Sequence, residues 1–218
     1  MPKYCVVVAG NIGAGKTSLA RLMAARLGWD VSYESVDDNP YLADFYKDMN
    51  AWSFHSQIFF LGHRLRVYRD LTDCPDSVIL DRSLYEDAEI FAHNLYLNGT
   101  MTRRDYDTYE ALYQSLLAFL PAPDLVIYLR ASVSTLVERI QQRNRDYERT
   151  IDAIYLEQLN NAYDAWISGF SLCPVLTIPA DNLDFVSHSN HLELILSKVQ
   201  EKIAGKDEVV FLPEEYTP

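Results

Sequence analysis

The sequence predicts an α/β fold, a doubly wound, five-stranded parallel sheet flanked by helices and carrying an arginine-rich lid. Three observations predict it. Short apolar runs of strand length alternate with longer segments of helical spacing, the pattern left by βα units whose strands are covered on both faces. The first such run leads directly into a glycine-rich loop and a helix. The 218 residues are 49% hydrophobic and 23% charged, enough apolar material for one substantial core and therefore one domain over residues 1–218.

Element by element, Tyr4 to Ala9 predicts the first strand and Lys16 to Leu27 the first helix. Val31 to Glu34 is the second strand, and Ala51 to Leu71 has helical spacing. Val78 to Leu80 is the third strand, followed at once by a helix from Leu84 to Leu97 that the Asn98-Gly99 turn ends. Thr102, with Asp105 three residues on, resembles a capping box opening a helix to about Leu120, which Pro121 and Pro123 stop. Leu125 to Arg130 is the fourth strand, and Ser132 caps the helix after it. Helices from Asp152 to Phe170 and from His191 to Ile203 flank the fifth strand, Val175 to Ile178, and Lys206 to Pro218 forms an extension. The lid spans about residues 139–150.

Nineteen Lys and Arg against 31 Asp and Glu give a net charge of -12, with a pI near 4.7. That balance argues against binding to a nucleic-acid backbone or an anionic membrane, so any polyanionic ligand must be held by a local basic cluster. No apolar run approaches the roughly 20 residues of a membrane span, and the start MPKYCVVVAG lacks the features of a signal peptide, so a cytoplasmic protein is expected. Cys5, Cys74 and Cys173 are scattered and unpaired in pattern, which argues against both a disulfide framework and a zinc site. His188 and His191 lie close together without a Cys or carboxylate at ligand spacing.

Gly10-Asn11-Ile12-Gly13-Ala14-Gly15-Lys16-Thr17, with Ser18 following, satisfies GxxxxGK[ST] between a strand and a helix. In that context the loop's N–H groups and the helix dipole hold phosphate oxygens, Lys16 reaches the β and γ oxygens, and Thr17 ligates Mg²⁺. No lysine occurs between Lys47 and Lys198, so the Asn-Lys-x-Asp element of guanine-nucleotide switches is impossible over most of the chain. Motor and transport ATPases generally run longer. Small kinase chemistry remains, in which the protein positions two substrates and neutralises charge.

Glu34 ends the second strand and Asp81-Arg82-Ser83 the third, at the carboxyl edge where doubly wound folds bind ligands. A carboxylate there can take a hydroxyl proton while an arginine holds the attacking oxygen; a structural Glu34–Arg82 ion pair is the alternative reading. Arg139, Arg143, Arg145 and Arg149 supply the local basic cluster that a polyanionic ligand requires, although a solvated helix end would carry the same charges.

GNIGAGKTS, Glu34, DNPYLADFYKD, WSFHSQ, DRSLYED and RIQQRNRDYE, in that order from Cys5 to about Phe185, resemble the deoxyribonucleoside kinase family, in particular its bacterial deoxyadenosine/deoxyguanosine kinase branch. The resemblance implies an ATP-dependent enzyme that phosphorylates the 5'-hydroxyl of a deoxynucleoside with Mg²⁺. It implies Glu34 as general base, Arg82 orienting the 5'-oxygen, and Asp81 with Thr17 on the Mg²⁺ side. Tyr46 and Glu148 match the pair on the sugar 3'-hydroxyl, with the tyrosine ring disfavouring a 2'-hydroxyl. Gln57 matches the glutamine that bonds the base, Arg64 and Asp87 a polar pair at the base edge, and Phe91 the ring on which the base stacks. Arg139, Arg143 and Arg145 match lid arginines, and Asp181 to Phe185, with Asp184 and Phe185, the loop at the donor base. Gln57 and Arg64 at i, i+7 and Asp87 and Phe91 at i, i+4 fit helices that aim each pair into one pocket.

Two departures accompany it. The segment from Glu34 to Tyr46 is shorter than in the animal enzymes, and Ser56 stands where those often place an aromatic ring. Asp81 stands where they often have glutamate. The alternatives are a nucleoside monophosphate kinase of thymidylate-kinase type and a non-catalytic nucleotide-binding regulator. Family members usually form homodimers, for which Leu84 to Leu97 and Tyr106 to Leu120 supply a face.

Overall fold

The computed structural model describes residues 3–33, 38–73, 75–148 and 151–216; Glu34, Cys74 and Arg149 lie outside the described residues. Five parallel strands, β1 (Cys5–Gly10), β2 (Asp30–Ser32), β3 (Val78–Asp81), β4 (Leu125–Arg130) and β5 (Val175–Pro179), pair in the order β2-β3-β1-β4-β5. The chain therefore reverses direction across the sheet after β3, and the switch lies between the carboxyl ends of β1 and β3, where open α/β sheets bind ligands.

Strand alternation explains the two cores. Val6 and Val8 of β1 face one apolar cluster with Ile79, Leu125, Ile127 and Leu129, while Val7 and Ala9 face the other with Val78, Leu80 and Val126. With both faces covered, every β1 residue from Val6 to Gly10 is buried. The register Val8↔Asp81 and Gly10↔Leu129 sets the ends of β1, β3 and β4 side by side.

The helices are α1 (Lys16–Leu27), α2 (Leu42–Lys47), α3 (Met49–Asp73), α4 (Leu84–Glu86), α5 (His93–Leu97), α6 (Arg103–Leu117), α7 (Val133–Arg143), α8 (Ala153–Gly169) and α9 (Ser189–Ile203). The predicted caps form: the Thr102 hydroxyl accepts from Asp105 N, and the Ser132 hydroxyl from Thr135 N. Three details differ from the sequence reading. Strand β2 spans Asp30–Ser32 rather than Val31 to Glu34, and Glu34 itself lies outside the described residues. Helix α2 was not predicted, being only six residues long and held by burying Leu42 and Phe45 in the second core. The predicted Leu84 to Leu97 helix is interrupted by a π-helical turn, Asp87–Ala92. A π turn inserts an extra residue between bonded groups and is often found at functional sites.

Candidate active site

The phosphate loop begins where β1 ends. Gly10 has φ 149°, and a Cβ there would lie 2.9 Å from the Leu129 carbonyl oxygen, so no other residue fits without moving β4. Gly13, at φ 83°, lies against α7, where a Cβ would meet both the Leu136 carbonyl and the Ile140 side chain at 3.0 Å. Helix α1 opens from Gly15 with no side-chain cap and no acidic residue in its first turn. Its first N–H groups and positive dipole end are thus directed at the loop. Lys16 is buried and its Nζ donates to the Asn11 carbonyl at 3.0 Å.

Thr17 Oγ1 donates to Asp81 Oδ2 at 2.5 Å. Asp81 is 1% exposed, and its Oδ1 is buried with no hydrogen-bond partner among the described residues. An orphaned carboxylate oxygen is costly unless something positive meets it. The hydroxyl and carboxylate are hard oxygen donors suited to Mg²⁺, which takes few protein ligands and completes its shell with phosphate and water. The residues present fit the metal.

A cleft of about 860 Å³ runs from the phosphate loop to α3, within the size range of small-molecule sites. Of the predicted residues, Ile12, Gly13, Gly15, Lys16, Thr17, Ser18, Tyr46, Gln57, Arg82, Asp87, Phe91, Arg139, Arg143, Arg145, Glu148, Asp184 and Phe185 line it. Gly10, Asn11, Ala14, Arg64 and Asp81 do not; they sit behind the wall and hold it. The site thus assembles from six separate stretches of chain, as the sequence reading required.

On the acceptor side, Arg82 adopts φ 74°, the left-handed region that a side-chain-bearing residue occupies only under constraint. Its guanidinium sits 4.2 Å from the centroid of the Phe91 ring, a cation–π contact worth on the order of 1–2 kcal/mol when shielded from water. Phe91 therefore touches the Arg82 guanidinium as well as lining the cleft. Arg64 Nε donates to Asp87 Oδ2 at 2.9 Å and its Nη1 to the Asp81 carbonyl at 3.4 Å, with both charged side chains at 3% exposure or less. The predicted i, i+7 partnership is accordingly indirect: Gln57 faces the cleft, and Arg64 acts through Asp87. The Gln57 Oε1 is buried without a hydrogen-bond partner among the described residues. Ser56 is fully buried, its Oγ accepting from Asn39 at 3.0 Å.

The arginine-rich segment is bonded both to the phosphate loop and within itself. Arg139 spans the loop and the segment after β5, donating to the Ala14 carbonyl at 3.0 Å and the Ala180 carbonyl at 2.7 Å. Arg143 grips Glu148 with both arms, at 3.0 and 2.7 Å, and Arg145 stands 3.6 Å from the same carboxylate. Glu148, assigned by resemblance to the sugar, is thus paired with Arg143 and Arg145. Asp181 bonds Ser132 N at the start of α7; partial burial works against its ionisation, but hydrogen bonds from Thr135 and Ser132 hold its pKa below the usual carboxylate value. Asp184 accepts from Ser187 N at 2.9 Å and Val186 N at 3.1 Å, bonds that also lower its pKa.

Several of the contacts that hold the site went unnoticed in the sequence. Asn11 is pinned by Nδ2 bonds to the Leu156 carbonyl and Asn160 on α8, which anchors the loop to that helix. Tyr155, from the same helix, lines the cleft. Glu86 is fully buried; burial pushes its pKa up, opposed by the Arg82 and Lys16 charges and by hydrogen bonds from Tyr163 and Gly10. DRSLYED contained Glu86, but nothing local distinguished it from a helix-capping glutamate, which it also is.

Comparison with known proteins agrees with this geometry. The family described as deoxynucleoside kinase matches residues 6–204. The chain is 39% identical over 202 residues to the deoxyadenosine/deoxycytidine kinase of Bacillus subtilis (strain 168), covering 91% of this chain and 93% of that protein. It is 35% identical to the deoxyguanosine kinase of the same organism, covering 91% and 97%. A structure of M. mycoides deoxyadenosine kinase with products dCMP and a flexible dCDP bound superposes with a TM-score of 0.81 at 31% identity, over 90% of this chain and 99% of that one. The same enzyme with bound dATP gives 0.80 at 30% identity, with the same coverage. A phosphate loop facing an acceptor cleft, in a chain matched over nearly its whole length, has one explanation: the chain is a phosphotransferase of the deoxynucleoside kinase family.

Proposed function

We propose that the chain transfers the γ-phosphoryl group of ATP to the 5'-hydroxyl of a deoxynucleoside in nucleotide salvage, with deoxyadenosine as first choice and deoxyguanosine or deoxycytidine as alternatives. The observation that carries this reading is the single cleft that joins Lys16 and Thr17 at one end to Arg82, Gln57, Asp87 and Phe91 at the other. Lys16 holds the β and γ oxygens, and Thr17 with Asp81 would hold Mg²⁺. When bound, the metal neutralises charge on the phosphates. Glu34, two residues beyond the last residue of β2, takes the 5'-hydroxyl proton, and Arg82 orients that oxygen and stabilises its developing charge.

Phe91 stacks on the base, while the open Gln57 oxygen accepts from an exocyclic amine, a group adenine, guanine and cytosine carry and thymine lacks. The Arg64–Asp87 pair sets the polar edge beyond it. Tyr46 and Glu148 hold the 3'-hydroxyl. Arg139, Arg143 and Arg145 form the lid over the phosphates, and Asp184 and Phe185 flank the donor base. The relatives named for deoxyadenosine, deoxycytidine and deoxyguanosine support the choice of bases. A monophosphate acceptor is disfavoured, because Arg64 is engaged with Asp87 and leaves the acceptor end short of cations.

We read the protein as cytoplasmic; no described helix is long and apolar enough to cross a membrane. We also read it as a homodimer formed through α4 to α6, where Leu97 and Leu112 are exposed.

Glu34→Gln tests the chemistry. It should lower kcat by about 10²–10⁴-fold with KM little changed, measured as deoxyadenosine-dependent ADP release. Near-normal kcat would remove Glu34 from the reaction. In the same assay ribonucleosides should be poor acceptors.

A further inference from the structure

We propose that Glu86 is a positioning residue that fixes the donor half of the site relative to the acceptor half. The proposal rests on the reading that Lys16 holds the donor phosphates and Arg82 the acceptor oxygen.

Glu86 has 0% exposure and does not line the cleft, so it touches neither substrate directly. Its two oxygens are divided between the two halves. Oε1 accepts from Gly10 N at 3.1 Å, and the Tyr163 hydroxyl lies 2.8 Å from both Oε1 and the Gly10 carbonyl. That side governs the first residue of the phosphate loop. Oε2 accepts from Ser83 N at 2.9 Å and Ser83 Oγ at 3.1 Å. That side governs the residue immediately after Arg82.

The sheet itself does not make this connection. The paired register of β1 with β3 ends at Val8↔Asp81, with Arg82 N donating to the Val8 carbonyl at 3.1 Å. Beyond that point Arg82 turns through its left-handed conformation and β1 runs on into the loop, so the two strand ends diverge. The Glu86 carboxylate bridges the opening. Holding Ser83 N constrains the exit of the Arg82 turn, and with it the direction of the guanidinium above Phe91. An apolar residue of equal volume would leave Gly10 N and Ser83 N buried without an acceptor, and only a group with two acceptor oxygens can serve both sides at once. The cations Lys16 and Arg82 lie near enough to favour its negative charge.

Glu86→Gln keeps the shape and replaces one acceptor oxygen with a donor, so one half of the bridge is lost. Because small misplacements of reacting groups cost up to about 10²-fold, kcat should fall roughly 10- to 100-fold while the Kd values for ATP and for deoxynucleoside, each measured alone, change less than about 3-fold. A folded Glu86→Gln protein with wild-type kcat overturns the proposal, as does weakening of both substrates in step with a drop in melting temperature. If Glu86→Gln does not fold, Tyr163→Phe decides, since it deletes a single hydroxyl on the donor side. A several-fold loss in its kcat at constant KM supports the bridge, and unchanged kcat overturns it. Arg82→Lys is assayed alongside: wild-type activity there would sink the reading of the site itself, whereas an impaired Arg82→Lys beside an unimpaired Glu86→Gln sinks the positioning role alone.

Discussion

Exchanging Lys16 for methionine should lower kcat/KM for ATP by about 10³-fold, the scale expected when a preorganised charge is removed from a transferring phosphoryl group. The side chain is buried and donates to the Asn11 carbonyl, and a methionine of similar length leaves the packing nearly intact. Denaturant unfolding should therefore show little change in stability alongside the kinetic loss. An activity within tenfold of wild type would mean that the loop cradles phosphate through its N–H groups alone.

The second large effect is on stability. Asp87→Ala removes the carboxylate paired with the Arg64 guanidinium at 3% exposure, leaving the charge to neutral partners such as the Asp81 carbonyl, and breaking a buried pair from one side costs about 3–5 kcal/mol. For a chain of this size that corresponds to a melting-temperature loss on the order of 10 °C. The double variant Arg64→Met/Asp87→Leu removes both charges and should recover much of that stability, because well-packed apolar residues often replace a buried ion pair at no net cost. It should not recover turnover of deoxyadenosine. Thermal unfolding of the three proteins, paired with the kinase assay, separates the pair's contribution to the fold from its contribution to the base pocket. Full recovery of turnover in the double variant would show that the pair only maintains the fold.

What was legible in the sequence divides by the range of the interactions. The phosphate loop was readable because its glycines, lysine and threonine act within eight consecutive residues, and the central strands β1, β3 and β4 because burial on both faces makes them almost continuously apolar. Asp87 and Phe91 were placed in one pocket by helical spacing, and both line the cleft even though the helix between them is a π turn. That turn left no local mark; nothing in DAEIFA announces that Asp87 is tied to α3 while Phe91 lies beneath Arg82. Glu86 was missed for the same reason, since Gly10 and Tyr163 stand 76 and 77 residues away. Arg139 lies at the phosphate-loop end of the cleft, where its bonds to two carbonyls, 125 and 41 residues distant, depend on how α7 packs over the loop. Glu34 and Arg149 lie outside the described residues; the reading of Glu34 as general base rests on its place after the second strand and on the family resemblance, that of Arg149 on the cluster of arginines around it.

If the cleft joins an ATP-binding loop to a hydroxyl acceptor, the fate of the label in γ-labelled ATP shows it. With Mg²⁺ and deoxyadenosine, label should appear in deoxyadenosine 5'-monophosphate, and replacing deoxyadenosine by that monophosphate should give no labelled diphosphate. Label transferred only to the monophosphate would contradict this and make Arg82 a phosphate-binding rather than a hydroxyl-orienting residue.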